Sequence, residues 1–334
     1  MAAFVVVRST DRAARSLSAR GEAADGDIEA PLPMCADHIG FLARTSETRA
    51  LAGAVGADSM PAEGSTRTAH MSILDSLRPV PNLRVLVTAG AGGIGAAIAR
   101  AFHEAGSRVH VCDVDRSAID RLTSKVPGIT GSMADASFPA DVDGVFDDVR
   151  GALGGLDVLI SNAGIAGPIG PIEAIDGGFW ERTIAVNLNS QFYFARRAVP
   201  LLKQSVAGPC LIATGPMTEP SGFGLRTLYA SSNGAVVGLM KSLALELGPH
   251  GIRVNAILPS AIEGERVRGA VTARAEATAG TGVDVMHGQH PRASARRRRV
   301  TLDDVAALAL FLCSPAARNL TGQAVSIHSN AEDL

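Results

Sequence analysis

The sequence predicts an α/β domain: a single doubly wound, seven-stranded parallel sheet with helices on both faces. Three observations predict it. Short apolar runs alternate with helical patterns from Leu83 to Ile327. The runs are predominantly apolar, as suits strands covered on both faces, and the alternation implies right-handed crossovers. The first run leads at once into a glycine-rich turn and then a helical pattern, the order strand, tight turn, helix.

Taken in order, residues 1–70 do not share this pattern. Apart from Phe4–Val7 they lack a sustained apolar period, and they are rich in Ala, Gly, Ser, Arg and Asp. Asp11, Glu22, Asp25, Asp27 and Glu29 argue against a transit peptide, and the apolar run is too short for a signal peptide. The stretch reads as a disordered extension, or as sequence ahead of a start at Met71. The folded domain is expected over 71–334. Strands are predicted at Leu83–Thr88, Arg108–Cys112, Leu156–Ile160, Cys210–Ala213, Ile252–Ile257 and Ala324–Ile327, with a weaker one near Ile129. Helices are predicted at Ala96–Glu104, Ser117–Lys125, Val142–Leu153, Phe179–Lys203, Leu228–Leu247 and Leu302–Leu312.

The turn holds Gly90, Gly92, Gly93 and Gly95 in a G-x-G-x-x-G spacing, with Ile94 inside it. Glycines let the backbone turn sharply and approach a pyrophosphate, while the helix N-terminus offers unpaired N–H groups and a positive dipole end. Such a motif also needs an acid about 20 residues on, at the end of the next strand. Asp113 supplies it. Its carboxylate would accept from a ribose 2′-hydroxyl and repel a 2′-phosphate, which predicts NAD rather than NADP. Ser161-Asn162-Ala163-Gly164 ends the fourth strand with small residues against which a flat cofactor can lie. Asp135, just past the weak third strand, is a candidate acceptor for an adenine amine or an ordinary turn residue.

Composition excludes several classes. A net charge of −2 gives no general attraction to nucleic acid or anionic membrane. No apolar run approaches the roughly 18 residues of a membrane span, so none is expected. Cys35, Cys112, Cys210 and Cys313 are far apart, and three lie in or beside core-like segments, which reads as reduced, buried thiols in a cytoplasmic protein. His287, His290 and His328 lack metal-ligand spacing, so no metal is expected. Arg296–Arg299 reads as a solvated turn, since no aromatics interleave it.

Over about residues 80–330 the chain resembles the short-chain dehydrogenase/reductases, which have a Rossmann-type fold. The resemblance rests on Thr88-Ala-Gly-Ala-Gly-Gly-Ile-Gly95, Ser161-Asn-Ala-Gly164, Val186-Asn187-Leu188 and Tyr229-Ala-Ser-Ser-Asn233. It extends through Gly238–Gly248, Gly251–Pro259, Leu308–Leu312 and Gly322–Val325. It implies a small-molecule alcohol or ketone substrate of the alcohol, sugar or 3-oxoacyl type. It also implies a cofactor site drawn from Gly90, Gly92, Gly93, Ile94, Gly95, Asp113, Asp135, Asn162, Ala163, Gly164, Tyr229, Asn233 and Pro259, a substrate lid near 262–299, and a homodimer or homotetramer built through helices 179–203 and 228–247. Phe192, Phe194, Leu201, Leu202, Val236, Leu239 and Leu243 are candidates to cover a partner helix, with core packing the competing use for them.

The resemblance implies a catalytic tyrosine, Tyr229, and a relay asparagine, Asn187, which holds a water. Where the family has a lysine four residues after the tyrosine, this chain has Asn233. Where it commonly has a serine thirteen residues before, this chain has Pro216, with Thr214 and Thr218 two positions to either side. Lys241 lies eight residues beyond Asn233, about 12 Å along a helix, too far to substitute. Ala89 and Ser260 stand where glycines are usual, and Ile327-His328-Ser329-Asn330 departs from the usual ending. Without the lysine charge, Tyr229 is expected nearer the ordinary phenol range, about 10. Two functions therefore remain open: a dehydrogenase with an altered site, or an NAD-binding pseudoenzyme or scaffolding subunit.

Overall fold

A computed structural model describes residues 72–215, 224–259, 262 and 300–327. A short helix α1 (Ile73–Ser76) is followed by β1 (Arg84–Thr88), α2 (Gly93–Glu104), β2 (Arg108–Asp113), α3 (Arg116–Lys125), β3 (Thr130–Met133), α4 (Pro139–Leu153) and β4 (Val158–Ser161). Then come α5 (Gly177–Ile184), α6 (Ser190–Leu202), β5 (Cys210–Thr214), α7 (Thr227–Leu247), β6 (Arg253–Pro259), α8 (Leu302–Leu312) and β7 (Ala324–Ile327). The seven strands form one parallel sheet in the order β3-β2-β1-β4-β5-β6-β7. The order reverses between β1 and β4. The crevice at their carboxyl ends is where open α/β sheets bind ligands.

Each face of the sheet carries its own apolar layer. Phe102 and Ile98 of α2 and Val305 and Leu312 of α8 cover one face with Val87 and Ile160. Phe146 of α4, Phe194 of α6 and Met240 of α7 cover the other with Leu159 and Leu211. Phe146 and Phe194 meet with ring centroids 5.9 Å apart, in the distance range where aromatic pairs attract. Cys112, Cys210 and Cys313 are buried free thiols, and burial pushes the Cys112 thiol up to about 12. Cys35 and residues 1–71 lie outside the described residues.

The strands and most helices fall where the apolar pattern puts them, with one break. The helix predicted as continuous over Phe179–Lys203 is α5 and α6 joined by a π-helical turn, Ala185–Asn189. The wider turn inserts a residue into the helical ladder, and such bulges concentrate at functional sites. It carries Asn187. The expected partner-covering residues also divide. Phe194, Leu202 and Val236 are core residues, which corrects that part of the expectation, because the helix faces carrying them already meet the sheet. Leu201 and Leu243 are partly buried against the same layer. Phe192 is exposed, as are Phe179, Trp180 and Leu245.

At the end of the sheet away from the crevice, Asp157 ties β1 to the chain entering β4. Its Oδ2 accepts from the Arg84 backbone N–H at 2.8 Å and from Nε at 2.9 Å, and its Oδ1 accepts from Arg84 Nη2 and from Ser205 Oγ, both at 2.6 Å. Among the described residues no helix is long and apolar enough to cross a membrane.

Candidate active site

The glycine turn sits at the carboxyl end of β1. Gly90 N–H donates to the Cys112 carbonyl at 3.0 Å, tying the turn to β2. Two glycines are required by contact. A Cβ on Gly95 would stand 2.2 Å from the Ala89 carbonyl oxygen, and one on Gly90 would stand 2.7 Å from that of Val87. Gly92 and Gly93 differ: a Cβ on either meets nothing within 4 Å. Gly92 caps α2 without a side-chain hydrogen bond and Gly93 has φ +51°. Both glycines are exposed at the start of α2, so the turn and the first helical N–H groups form an open cradle whose donors suit a pyrophosphate. Ile94 is half-buried and packs into the core beneath. Ala89 takes φ +45°, a left-handed conformation that favours glycine.

Asp113 ends β2 beside this turn. Its Oδ2 accepts from the Ala91 N–H at 3.1 Å and its Oδ1 from the Asp115 N–H at 3.2 Å. Each oxygen keeps a second lone pair for a diol. Asp135 is more heavily engaged. Its Oδ1 accepts from the Ser137 N–H and Oγ at 2.9 and 2.7 Å, and its Oδ2 accepts from Arg182 Nη2 at 2.8 Å. Arg182 Nη1 also donates to Ser137 Oγ at 2.7 Å. Partial burial favours the neutral acid, but these bonds from Ser137 and Arg182 hold the carboxyl below its ordinary value. Asp135 thus latches α5 to the loop after β3.

Asn162 gathers the ends of three strands. Thr88 Oγ1 accepts from the N–H groups of Asn162 and Ala163 at 2.8 and 2.9 Å. Asn162 Nδ2 donates to the carbonyls of Thr88 and Ala89 at 3.1 and 3.2 Å, and Thr214 Oγ1 donates to Asn162 Oδ1 at 2.8 Å. The Thr214 hydroxyl proton is therefore committed to Asn162. Ala163 is buried, and a Cβ on Gly164 would lie 3.6 Å from Asn187 Oδ1.

Asn187 is bonded on three sides. Its Oδ1 accepts from the Ile165 N–H at 2.7 Å, and Nδ2 donates to the Ile165 carbonyl and to Ser232 Oγ, both at 3.0 Å. Its amide fixes the loop after β4 against α7, with both Nδ2 protons used and a second lone pair left on Oδ1. Ser232 Oγ in turn donates to the Tyr229 carbonyl at 3.1 Å. Asn233 Nδ2 donates to the same carbonyl at 2.7 Å, while Asn233 Oδ1 stands 3.3 Å from where a Gly215 Cβ would be. Tyr229 occupies the first turn of α7, and the Arg226 guanidinium carbon lies 4.5 Å from its ring centroid.

These contacts run continuously. The Ala89 carbonyl reaches Asn162, Asn162 reaches Thr214, and the next residue, Gly215, lies against Asn233, which holds Tyr229. Pro259 ends β6 in register with Ile327 of β7 and is buried. Pro216, Thr218, Ser260, the lid over 263–299 with His287, His290 and Arg296–Arg299, and His328 lie outside the described residues. Sequence reasoning missed Ser232, Arg182 and Arg226. Ser232 lies within Tyr229-Ala-Ser-Ser-Asn233 and was signalled only by spacing, whereas Arg182 and Arg226 carry no motif.

The family model described as enoyl-(acyl carrier protein) reductase matches residues 89–329. The short chain dehydrogenase/reductase dpchG of Colletotrichum higginsianum is 31% identical over 248 residues, covering 72% of this chain and 91% of that protein. The solved 7α-hydroxysteroid dehydrogenase complexed with NADH and 7-oxo glycochenodeoxycholic acid superposes with a TM-score of 0.69 at 28% identity, covering 78% of this chain and 99% of that one. A short chain dehydrogenase from Burkholderia cenocepacia J2315 in complex with NADP gives a TM-score of 0.64 at 27% identity, covering 75% and 98%.

Proposed function

Because the chain belongs to the short-chain dehydrogenase/reductase family, we propose that it exchanges hydride between NAD(H) and a secondary alcohol or its ketone, with Tyr229 as proton donor and acceptor. The alcohol, sugar and 3-oxoacyl types are the substrate classes to test. The observation that carries the reading is the unbroken run of contacts from the open glycine cradle through Asn162, Thr214 and Asn233 to Tyr229. It ties the glycine turn and the backbone of the Tyr229 segment into one framework at the carboxyl end of the sheet, which supports a shared site.

A bound nicotinamide supplies or accepts the hydride. In the reducing direction Tyr229 would give its phenolic proton to the carbonyl oxygen of the ketone, which becomes the hydroxyl of the secondary alcohol. In the other direction Tyr229 takes the hydroxyl proton. Ser232 and Asn187 tie the tyrosine helix to the loop after β4, and Asn187 Oδ1 keeps a second lone pair for the water of a proton relay. Asp113 favours NAD, since a 2′-phosphate beside its carboxylate is repelled. Phe179 and Trp180 on α5, Phe192 on α6 and Leu245 on α7 support a homodimer or homotetramer through those helices.

One observation favours a second reading, an NAD-binding subunit without turnover: the neutral Asn233 is folded onto its own helix. Calorimetry with NADH and NADPH on the full chain, with NADH oxidation followed over a ketone panel, separates the two. NADH binding with turnover that Tyr229→Phe abolishes supports the enzyme. NADH binding without turnover selects the non-catalytic subunit. Absence of NADH binding overturns both.

A further inference from the structure

We propose that Arg226 supplies the positive charge that draws the Tyr229 phenol toward its ionised form, making Arg226 a positioning residue for proton transfer. The inference rests on the reading of Tyr229 as the acid/base group. Its basis is a contact that no motif announces. The Arg226 guanidinium carbon stands 4.5 Å from the centre of the Tyr229 ring. A cation over an aromatic face is attracted by the ring quadrupole, and it is attracted more strongly once the ring carries a full negative charge. The guanidinium does not deprotonate in the working range, so its charge persists at every pH of interest.

The helix start holds this pair together. Arg226 is the N-cap of α7, and its carbonyl accepts from the Ala230 N–H at 2.9 Å, closing the first turn. Residues three apart on that turn are neighbours, which lets the arginine fold onto the ring. The N-terminal end of the helix adds a field of the same sign. At the position one turn beyond the tyrosine, Asn233 contributes a hydrogen bond to the Tyr229 carbonyl and no charge.

The loop after β4, which the Gly170 N–H joins to the Leu225 carbonyl at 3.0 Å, carries Glu173 and Asp176, both exposed, and Asp176 Oδ1 accepts from the Gly178 N–H. On α7 itself, Lys241 and Glu246 lie 12 and 17 positions beyond Tyr229. On α5, Glu181 is exposed and Arg182 is bound to Asp135 and Ser137. The π turn Ala185–Asn189 carries no ionisable side chain. On β6, Arg253 lies at the opposite end of the strand, on the carbonyls of Leu312 and Ala317.

The test uses a feature of the composition: the chain holds two tyrosines, Tyr193 and Tyr229. Tyr193→Phe keeps the ring that packs edge-on against Phe192 and leaves Tyr229 as the sole phenol. Phenolate absorbance of the full chain in that background then titrates Tyr229 directly, with no need for turnover. Arg226→Met is expected to raise the midpoint by about one pH unit, and Arg226→Lys to raise it less. Should the methionine variant not fold, Arg226→Gln carries the same expectation. Equal midpoints in the parent and the neutral variant overturn the proposal. Where turnover is measurable, the pH limb of kcat/KM should move by the same amount, and a uniform loss without that movement also overturns it. A chain that shows the phenolate shift but no turnover separates failure of the acid/base reading from failure of this assignment.

Discussion

Asn187 and Ile165 are joined by two opposed hydrogen bonds, the Ile165 N–H donating to Oδ1 at 2.7 Å and Nδ2 donating to the Ile165 carbonyl at 3.0 Å. A single amide thus satisfies both backbone groups of a residue in the loop after β4. The π turn that carries Asn187 lets the side chain reach that loop while its third bond goes to Ser232 on α7. Three segments that shape the site are joined at one side chain.

Asn187→Ala removes all three bonds and leaves the Ile165 groups without partners. The expected loss is about 2–3 kcal/mol, read from the urea midpoint at constant slope. An unchanged midpoint would show that the amide is dispensable for the loop.

The glycine turn offers a paired comparison. Gly95→Ala places a Cβ 2.2 Å from the Ala89 carbonyl oxygen, so stability should fall by about 1–3 kcal/mol and NADH binding with it. Gly92→Ala meets nothing within 4 Å. Its stability should stay within about 0.5 kcal/mol of the parent, while NADH affinity drops roughly tenfold, about 1.4 kcal/mol. Calorimetry and thermal unfolding on both variants check this. Undiminished NADH affinity in Gly92→Ala would argue against the cradle as the pyrophosphate site.

Ala89→Gly should stabilise the fold. The left-handed backbone costs a non-glycine residue about 1–2 kcal/mol, and the greater freedom of an unfolded glycine offsets about 0.4–1 kcal/mol of that. The net gain expected is about 0.5–1 kcal/mol, seen as a higher Tm. A lower Tm would mean that the turn accommodates alanine at φ +45° without strain.

Asp157 makes stability depend on acid. Burial favours its neutral form, but the hydrogen bonds from Arg84 and Ser205 outweigh burial and hold its carboxyl below the ordinary value. A depressed folded pKa contributes stability that is complete above the unfolded value of about 3.9 and is lost as the pH falls through the folded value. Asp157→Asn should cost about 1–2 kcal/mol at neutral pH and flatten the decline below about pH 4. Parallel stability profiles for the parent and the variant would rule out this bridge as the source of the acid limb.

Much of the architecture was legible in local pattern. Apolar runs such as Val85–Val87 and Val158–Ile160 are suited to burial on both faces, and the glycine turn between β1 and α2 announces its own geometry. The family membership was legible as well, because several motifs recur in order. The division of α5 from α6 was not. Phe179–Lys203 has a continuous helical period, and the π turn arises where Asn187 finds Ile165, 22 positions earlier. Nor did periodicity separate the core residue Phe194 from the exposed Phe192.

By itself, the sequence determined the element order, the parallel sheet and the glycine turn between β1 and α2, because each follows from residue type and short-range spacing. The tertiary structure decided how the site's polar groups are used. Asp135 is latched to Arg182, Thr214 is committed to Asn162, Asn233 is folded onto the Tyr229 carbonyl, and Arg226 lies over the ring. Each is a choice of rotamer and partner: the first two join residues 47 and 52 positions apart that the fold brings within about 3 Å, and the last two select one of several conformations open within a single helical turn.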